Sequence, residues 1–172
     1  MMRSIRAVAL LLAAAVAGAG LVAAPAQAAP PASLCPGGQG SSRQLTYQGV
    51  QVHSSLPCQW LDRGQSWTFG NARLTMQTDG NLVIYDRSNR ARWASNTQGR
   101  GATQLLFQHD GNLVLYRSGY SGAVWASNTR HTCGAWATTI GLQADSNFVI
   151  YCRLYNGSTF QMYPIWATGT RF

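Results

Sequence analysis

Three stretches of the chain carry the same five residue types at the same spacing. The first holds Gln77, Asp79, Asn81, Val83 and Tyr85. The second holds Gln108, Asp110, Asn112, Val114 and Tyr116, and the third Gln143, Asp145, Asn147, Val149 and Tyr151. The shared frame is Gln-x-Asp-x-Asn-x-Val-x-Tyr, recurring after 31 and 35 residues. Carboxylate and amide oxygens accept hydrogen bonds, while amide N–H and phenol O–H groups donate them. That set suits sugar hydroxyls, and the Val methyls offer a small apolar patch for ring C–H groups. Four hydrogen bonds worth about 1 kcal/mol net each predict roughly millimolar affinity for a monosaccharide. Several such sites on one rigid body would raise it. Asp and Asn as turn formers and Tyr as a strand residue would need no ligand, but that reading leaves the threefold return of Gln and Val unexplained.

The elements that must carry these residues read as β throughout. Apolar and polar residues alternate, Val, Ile, Tyr and Phe are dense, and turn signals recur every 8–12 residues. Asp79-Gly80 and Asp110-Gly111 mark hairpin turns, and Asp145-Ser146 holds the same place without Gly. A three-residue loop of Asp79, Gly80 and Asn81 would set Gln77 opposite Val83, so that Gln, Val and Tyr share one face. The other face is then apolar: Met76, Leu82 and Ile84, then Leu105, Phe107, Leu113 and Leu115, then Leu142, Phe148 and Ile150. A second element follows each motif, as Trp93-Ala-Ser-Asn-Thr97, Trp125-Ala-Ser-Asn-Thr129 and Trp166-Ala-Thr-Gly-Thr170, and its three Trp are expected in the core.

Composition narrows the alternatives. The chain has 172 residues with 13 Arg, 5 Asp, no Lys and no Glu, a formal charge of +8. Residues 1–28 have a basic start, a small-residue apolar run and an Ala26-Gln27-Ala28 cleavage site, the layout of a secretory signal peptide. Their removal leaves 11 Arg against 5 Asp. No other stretch approaches the 18 apolar residues of a span. The remaining Arg are scattered, with Arg87, Arg90 and Arg92 the one local cluster, so nucleic acid is not an expected partner. Catalysis is not expected either. His53, His109 and His131 lack metal-ligand spacing, and His109 reads as solvent-facing. Asp79, Asp110 and Asp145 lie on separate hairpins and make no glycosidase pair.

The motif trio and the Trp-Ala elements resemble the bulb-type mannose-binding lectins, the snowdrop-agglutinin-like family, over about Leu45 to Phe172. With the leader and the Arg-only basic set, the chain looks like a secreted bacterial-type member. The resemblance implies an all-β fold, the β-prism II, with three four-stranded antiparallel sheets around a pseudo-threefold axis and Trp in the shared core. It implies that Asp and Asn bind the axial O2 of mannose, Gln binds O3, Tyr binds O4 and Val packs on the ring, with no metal or other cofactor. The domain plan is then a signal peptide over 1–28, a Pro/Gly/Ser-rich lead-in over 29–44 and the lectin domain over 45–172.

Departures from the family pattern carry their own expectations. Tyr85 to Trp93 spans 8 residues and Tyr116 to Trp125 spans 9, but Tyr151 to Trp166 spans 15, giving a longer loop at Arg153–Pro164 beside the third site. Four Cys allow three pairings, and in an oxidising compartment the local ones, Cys35–Cys58 and Cys133–Cys152, are expected. In the family the C-terminal strand often swaps between subunits, so Ile165–Phe172 makes a homodimer plausible, with a monomer the close alternative. Mannose or mannose-containing glycans are the expected partners. Antagonism towards other cells, or protein binding by the same prism, is the alternative function.

Overall fold

The computed structural model describes residues 29–36, 39–47, 50–133 and 138–170. The expected signal peptide lies outside them, as does the end of the expected exchange strand. The strands in chain order begin with β1 (Ser42–Tyr47), β2 (Val50–Ser55), β3 (Gln59–Asp62) and β4 (Ser66–Phe69). The first motif lies between β5 (Ala72–Met76) and β6 (Leu82–Tyr85), followed by β7 (Ala91–Ala94). The second lies between β8 (Gln104–Phe107) and β9 (Leu113–Tyr116), followed by β10 (Ala123–Ala126). The third lies between β11 (Thr138–Gln143) and β12 (Phe148–Tyr155), followed by β13 (Phe160–Ala167). A single 3-10 turn at Ser118–Tyr120 is the only helical segment among the described residues.

These strands form three antiparallel sheets, ordered β4-β5-β6-β7, β10-β9-β8-β3 and β2-β11-β12-β13, the last widened at its edge by β1. This is the β-prism II that the resemblance implies. Each repeat supplies three consecutive strands, and the fourth comes from the N-terminal half. There β2, β3 and β4 run in succession to three different sheets, so one short segment ties all three faces together.

The alternation along the strands explains the core. Leu74, Met76, Leu82 and Ile84 are fully buried, as are Leu105, Phe107, Leu113, Leu115 and Ile150, with Ile140, Leu142 and Phe148 nearly so. Against this core the partly buried Trp93, Trp125 and Trp166 pack edge to face, with ring centroids 5.8–5.9 Å apart. That geometry lets each positive ring edge meet a neighbouring π-face.

Two sequence expectations change. The hairpins pair Met76 with Leu82 and Thr75 with Val83, so Gln77 faces Asn81 and not Val83. The second and third repeats use the same register, Phe107 with Leu113 and Leu142 with Phe148. The loop is three residues long but centred on Asp79, because the left-handed turn residue is Gly80 at its end. A shift of two positions preserves strand parity, so the face assignment survives. Second, Arg153–Pro164 is not a loop. β12 and β13 continue through it, pairing Cys152 with Tyr163 and Tyr155 with Phe160. Asn156 closes the hairpin by accepting the N–H groups of Ser158 and Thr159 on its Oδ1.

Both expected disulfides are present, Cys35–Cys58 and Cys133–Cys152. The first seals a small apolar cluster outside the prism core, where Leu34, Trp60, Tyr116 and Tyr120 pack around Cys35, Cys58 and Leu106. The expected strand exchange finds no support: β13 pairs with β12 of its own chain, and Trp166 completes the indole trio there.

Candidate functional site

Each motif is built on a hairpin tip by the same turn. Gln77 N–H donates to Asn81 O at 2.8 Å and Gly80 N–H to Gln77 O at 3.1 Å, and the corresponding bonds recur in the other two repeats. Gly80 and Gly111 take φ of 90° and 85°, a left-handed conformation that a Cβ disfavours. Space forbids a side chain as well, since a Cβ on Gly111 would lie 2.7 Å from Thr138 Cγ2. Ser146 holds this position in the third repeat at φ 65°, with a fully buried Oγ that has no hydrogen-bond partner among the described residues. Ser146→Gly is therefore expected to stabilise the domain by about 1 kcal/mol, because left-handed strain and an unpaired hydroxyl outweigh the entropy of Gly. The denaturation midpoint measures this, and an unchanged or lower midpoint would contradict it.

Hydrogen bonds within the protein determine what each site residue has left for a ligand. Asp79 Oδ1 accepts the Asn81 N–H at 2.9 Å, and Asp110 and Asp145 do the same for Asn112 and Asn147 at 3.1 Å. Asp79 and Asp145 keep Oδ2 as an acceptor, while Asp110 Oδ2 already accepts the Arg130 Nε–H at 2.9 Å and keeps its second lone pair. Asn81 Oδ1 accepts Ser95 Oγ–H at 3.0 Å and the Thr97 N–H at 3.1 Å. A backbone N–H can only donate, so this atom must be the amide oxygen, and the NH2 group remains for a ligand. Asn112 is held likewise by Ser127 and Thr129, and Asn147 by Thr168 and Gly169.

The second sequence element is thus a clamp as well as a source of core Trp. Thr97, Thr129 and Thr170 hydroxyls close it by donating to the carbonyls of Gly80, Gly111 and Ser146. Sequence reasoning took only the Trp from this element. Its Ser and Thr were findable, since a hydroxyl residue recurs two and four positions after each Trp. Their task was not, because Asn81 and Ser95 lie on different strands.

Gln and Tyr complete the set. Gln77, Gln108 and Gln143 donate Nε2–H to the hydroxyls of Tyr85, Tyr116 and Tyr151 at 2.5, 2.9 and 2.5 Å. The phenol oxygen is the acceptor there, so its own hydrogen is directed elsewhere, and Gln keeps Oε1. Burial, with the nearby Asp110 charge adding to it, raises the Tyr116 pKa above the phenol value, which keeps it a neutral donor. Asp Oδ2, Asn NH2, Gln Oε1 and Tyr O–H therefore present acceptor, donor, acceptor and donor. Val83 and Val114 lie between them, 3% and 2% exposed.

The three copies differ in access. Asn81 and Tyr85 are partly exposed, as are Asn112 and Tyr116. In the third, Asn147 is 1% and Tyr151 3% exposed, and Gln143 Oε1 is buried without a hydrogen-bond partner among the described residues. The first site has Arg73 over the Tyr85 ring at 4.5 Å. The second opens into a cleft of about 420 Å³, walled by Ser33, Leu34, His109, Arg130 and His131 besides the motif residues. His109 is half-buried there, not solvent-facing, with its backbone N–H bonded to Leu34 O at 3.1 Å.

The other acids take separate places. Asp86 caps its turn by accepting the N–H groups of Ser88 and Arg90, and pairs with the Arg90 guanidinium at 2.9 Å. Asp62 Oδ1 accepts from Gln104 Nε2. Among the described residues no three His, Cys, Asp or Glu gather to hold a metal, and no helix is long and apolar enough to cross a membrane.

No protein-family model and no curated protein matches the sequence. Solved structures do. A lectin described among monomeric monocot mannose-binding lectins from Gastrodia elata is 41% identical at a TM-score of 0.55, the match covering 69% of this chain and 98% of that one. The mannose-specific agglutinin of snowdrop (Galanthus nivalis) bulbs, complexed with methyl-α-D-mannoside, is 35% identical at 0.51, covering 62% and 96%. The Polygonatum cyrtonema lectin complexed with monomannoside is 36% identical at 0.51, also covering 62% and 96%. With 41% identity over nearly the whole of the Gastrodia protein, on the same prism, this chain belongs to the monocot mannose-binding lectin family, a family of lectins and not of enzymes.

Proposed function

We propose that the chain is a secreted lectin that seats D-mannose, or the mannose residues of a glycan, at two sites without a metal. Residues 1–28 serve as the leader, 29–44 as a lead-in and 45–172 as the lectin domain. The first site is Gln77, Asp79, Asn81, Val83 and Tyr85, and the second Gln108, Asp110, Asn112, Val114 and Tyr116. The third quintet, Gln143, Asp145, Asn147, Val149 and Tyr151, keeps every polar residue, but all except the partly exposed Asp145 are buried, and it takes no sugar in this arrangement.

One observation carries the reading. After the internal bonds are made, the remaining acceptors and donors alternate along each open site. Vicinal hydroxyls, each able to donate and accept, match such an alternation. The snowdrop agglutinin's complex with methyl-α-D-mannoside names the sugar that a related prism accepts. Two disulfides agree with an oxidising, extracellular destination.

Titration with methyl α-mannoside against methyl α-glucoside tests the proposal, because the two differ only in the orientation of O2. Mannoside is expected to bind at roughly millimolar Kd, with shifts at the Asn81 and Asn112 amides, none at Asn147, and no change on adding a chelator. Glucoside should bind at least about tenfold more weakly, a loss of one or two hydrogen bonds. Equal responses to the two sugars would sink the mannose assignment.

A further inference from the structure

The second site is larger than its five motif residues. Its cleft of about 420 Å³ lies in the size range of pockets for ligands bigger than one sugar ring. The added walls are fixed. Leu34 and Cys35 turn back on Pro31 through N–H bonds of 2.9 and 3.1 Å, Leu34 O holds the His109 N–H, and Cys35 is bonded to Cys58. The N-terminal arm is therefore a built part of this site.

Arg130 gives the cleft its chemistry. It follows the second Trp-Ala-Ser-Asn-Thr element, where the first repeat has Gln98. Its Nε lies 2.9 Å from Asp110 Oδ2, which orients the guanidinium, yet the side chain is 68% exposed and this pair uses only Nε. Asp110 is the one carboxylate among the lining residues and is already neutralised by this pair; the other titratable groups lining the cleft are His109, His131 and Tyr116. An incoming anion meets no uncompensated negative charge. The planar guanidinium fork suits carboxylate and phosphate oxygens.

We propose that the second site is a two-part site, in which the Gln108–Tyr116 quintet seats mannose and Arg130 binds the acid group of the adjoining sugar. This rests on the mannose reading above, and the test separates the two. Three disaccharides of one linkage serve as probes, mannosyl-glucose, mannosyl-glucuronic acid and mannosyl-glucose 6-phosphate, read at the Asn81 and Asn112 amides alongside methyl α-mannoside. At Asn112 either or both acidic probes are expected to bind about fivefold to tenfold tighter than the neutral one, a gain limited by the exposure of Arg130 and reduced by salt. At Asn81 no such gain is expected. Arg130→Gln, which installs the residue of the first repeat, should remove the acidic-to-neutral ratio whatever it does to methyl mannoside.

If all three disaccharides bind equally at Asn112 while methyl mannoside still binds, the acid subsite is overturned and the mannose reading stands. A ratio that survives Arg130→Gln also overturns it. No response to methyl mannoside at either amide would remove the mannose reading, and this inference with it. Between the two acidic probes, the one with the larger gain distinguishes a uronic acid from a sugar phosphate as the source of the anion.

Discussion

Trp93→Ala is expected to destabilise the domain by about 3 kcal/mol, the lower end of the usual cost of deleting a large aromatic side chain from a core, because Trp93 is only partly buried. The fold typically has only about 5–15 kcal/mol to lose. Trp93 belongs to the first repeat, but its ring meets Trp125 of the second and Trp166 of the third at 5.9 and 5.8 Å. The substitution removes a contact shared by all three sheets. Sugar binding should therefore weaken at the second site as well as the first, although no residue of the second has changed. Denaturant unfolding of Trp93→Ala, with titration read separately at Asn81 and Asn112, checks both parts. A stability loss confined to the first hairpin, with full binding at Asn112, would show that the sheets stand independently. Trp93→Phe should recover part of the stability, because a smaller ring still offers an edge and a face.

The second large effect concerns Asn112, which has two tasks on two atoms. Its Oδ1 accepts Ser127 Oγ–H and the Thr129 N–H, which holds the second sequence element against the hairpin. Its NH2 makes neither of these bonds and is the group proposed to meet the sugar. Asn112→Asp keeps the oxygen and loses the donor, so the clamp survives and the ligand bond does not. Mannoside affinity at this site should fall at least about tenfold, with Asn81 unaffected and the fold retained. Asn112→Ala should lose the sugar too, but also roughly 1–2 kcal/mol of stability, since two donors lose their acceptor. Unchanged mannoside binding by Asn112→Asp would remove the amide from the site. The aspartate variant is the cleaner probe, because the alanine variant alone would confuse a broken clamp with a lost ligand contact.

Most of the fold, and which residues share the polar face of each hairpin, were legible in the sequence for one physical reason. β-structure has a period of two, so parity alone assigns residues to faces. Gln77, Val83 and Tyr85 separate from Met76, Leu82 and Ile84 whether the hairpin closes on Asn81 or slips by two positions. That is why the exact register could be misplaced while the polar face and the core were both right. The Cys pairs were legible for a similar reason, because short separations of 23 and 19 residues favour closure.

What the sequence by itself determined is the repeated local unit, a hairpin with a polar face, an apolar face and a Trp strand after it. Local spacing specifies that unit because its parts lie within one turn or one strand pairing. Only the tertiary structure decided how the three units differ. Their polar residues are identical, yet two leave Asn and Tyr partly exposed and the third buries both, and one of the more open pair has a wall made by Ser33 and Leu34 from far along the chain. Access depends on what long-range packing lays over a face, and a nine-residue motif carries no record of it. The clamp on each Asn, the sharing of β2, β3 and β4 among three sheets, and Arg130 against Asp110 arise the same way. Each joins residues whose separation in sequence says nothing of their separation in space.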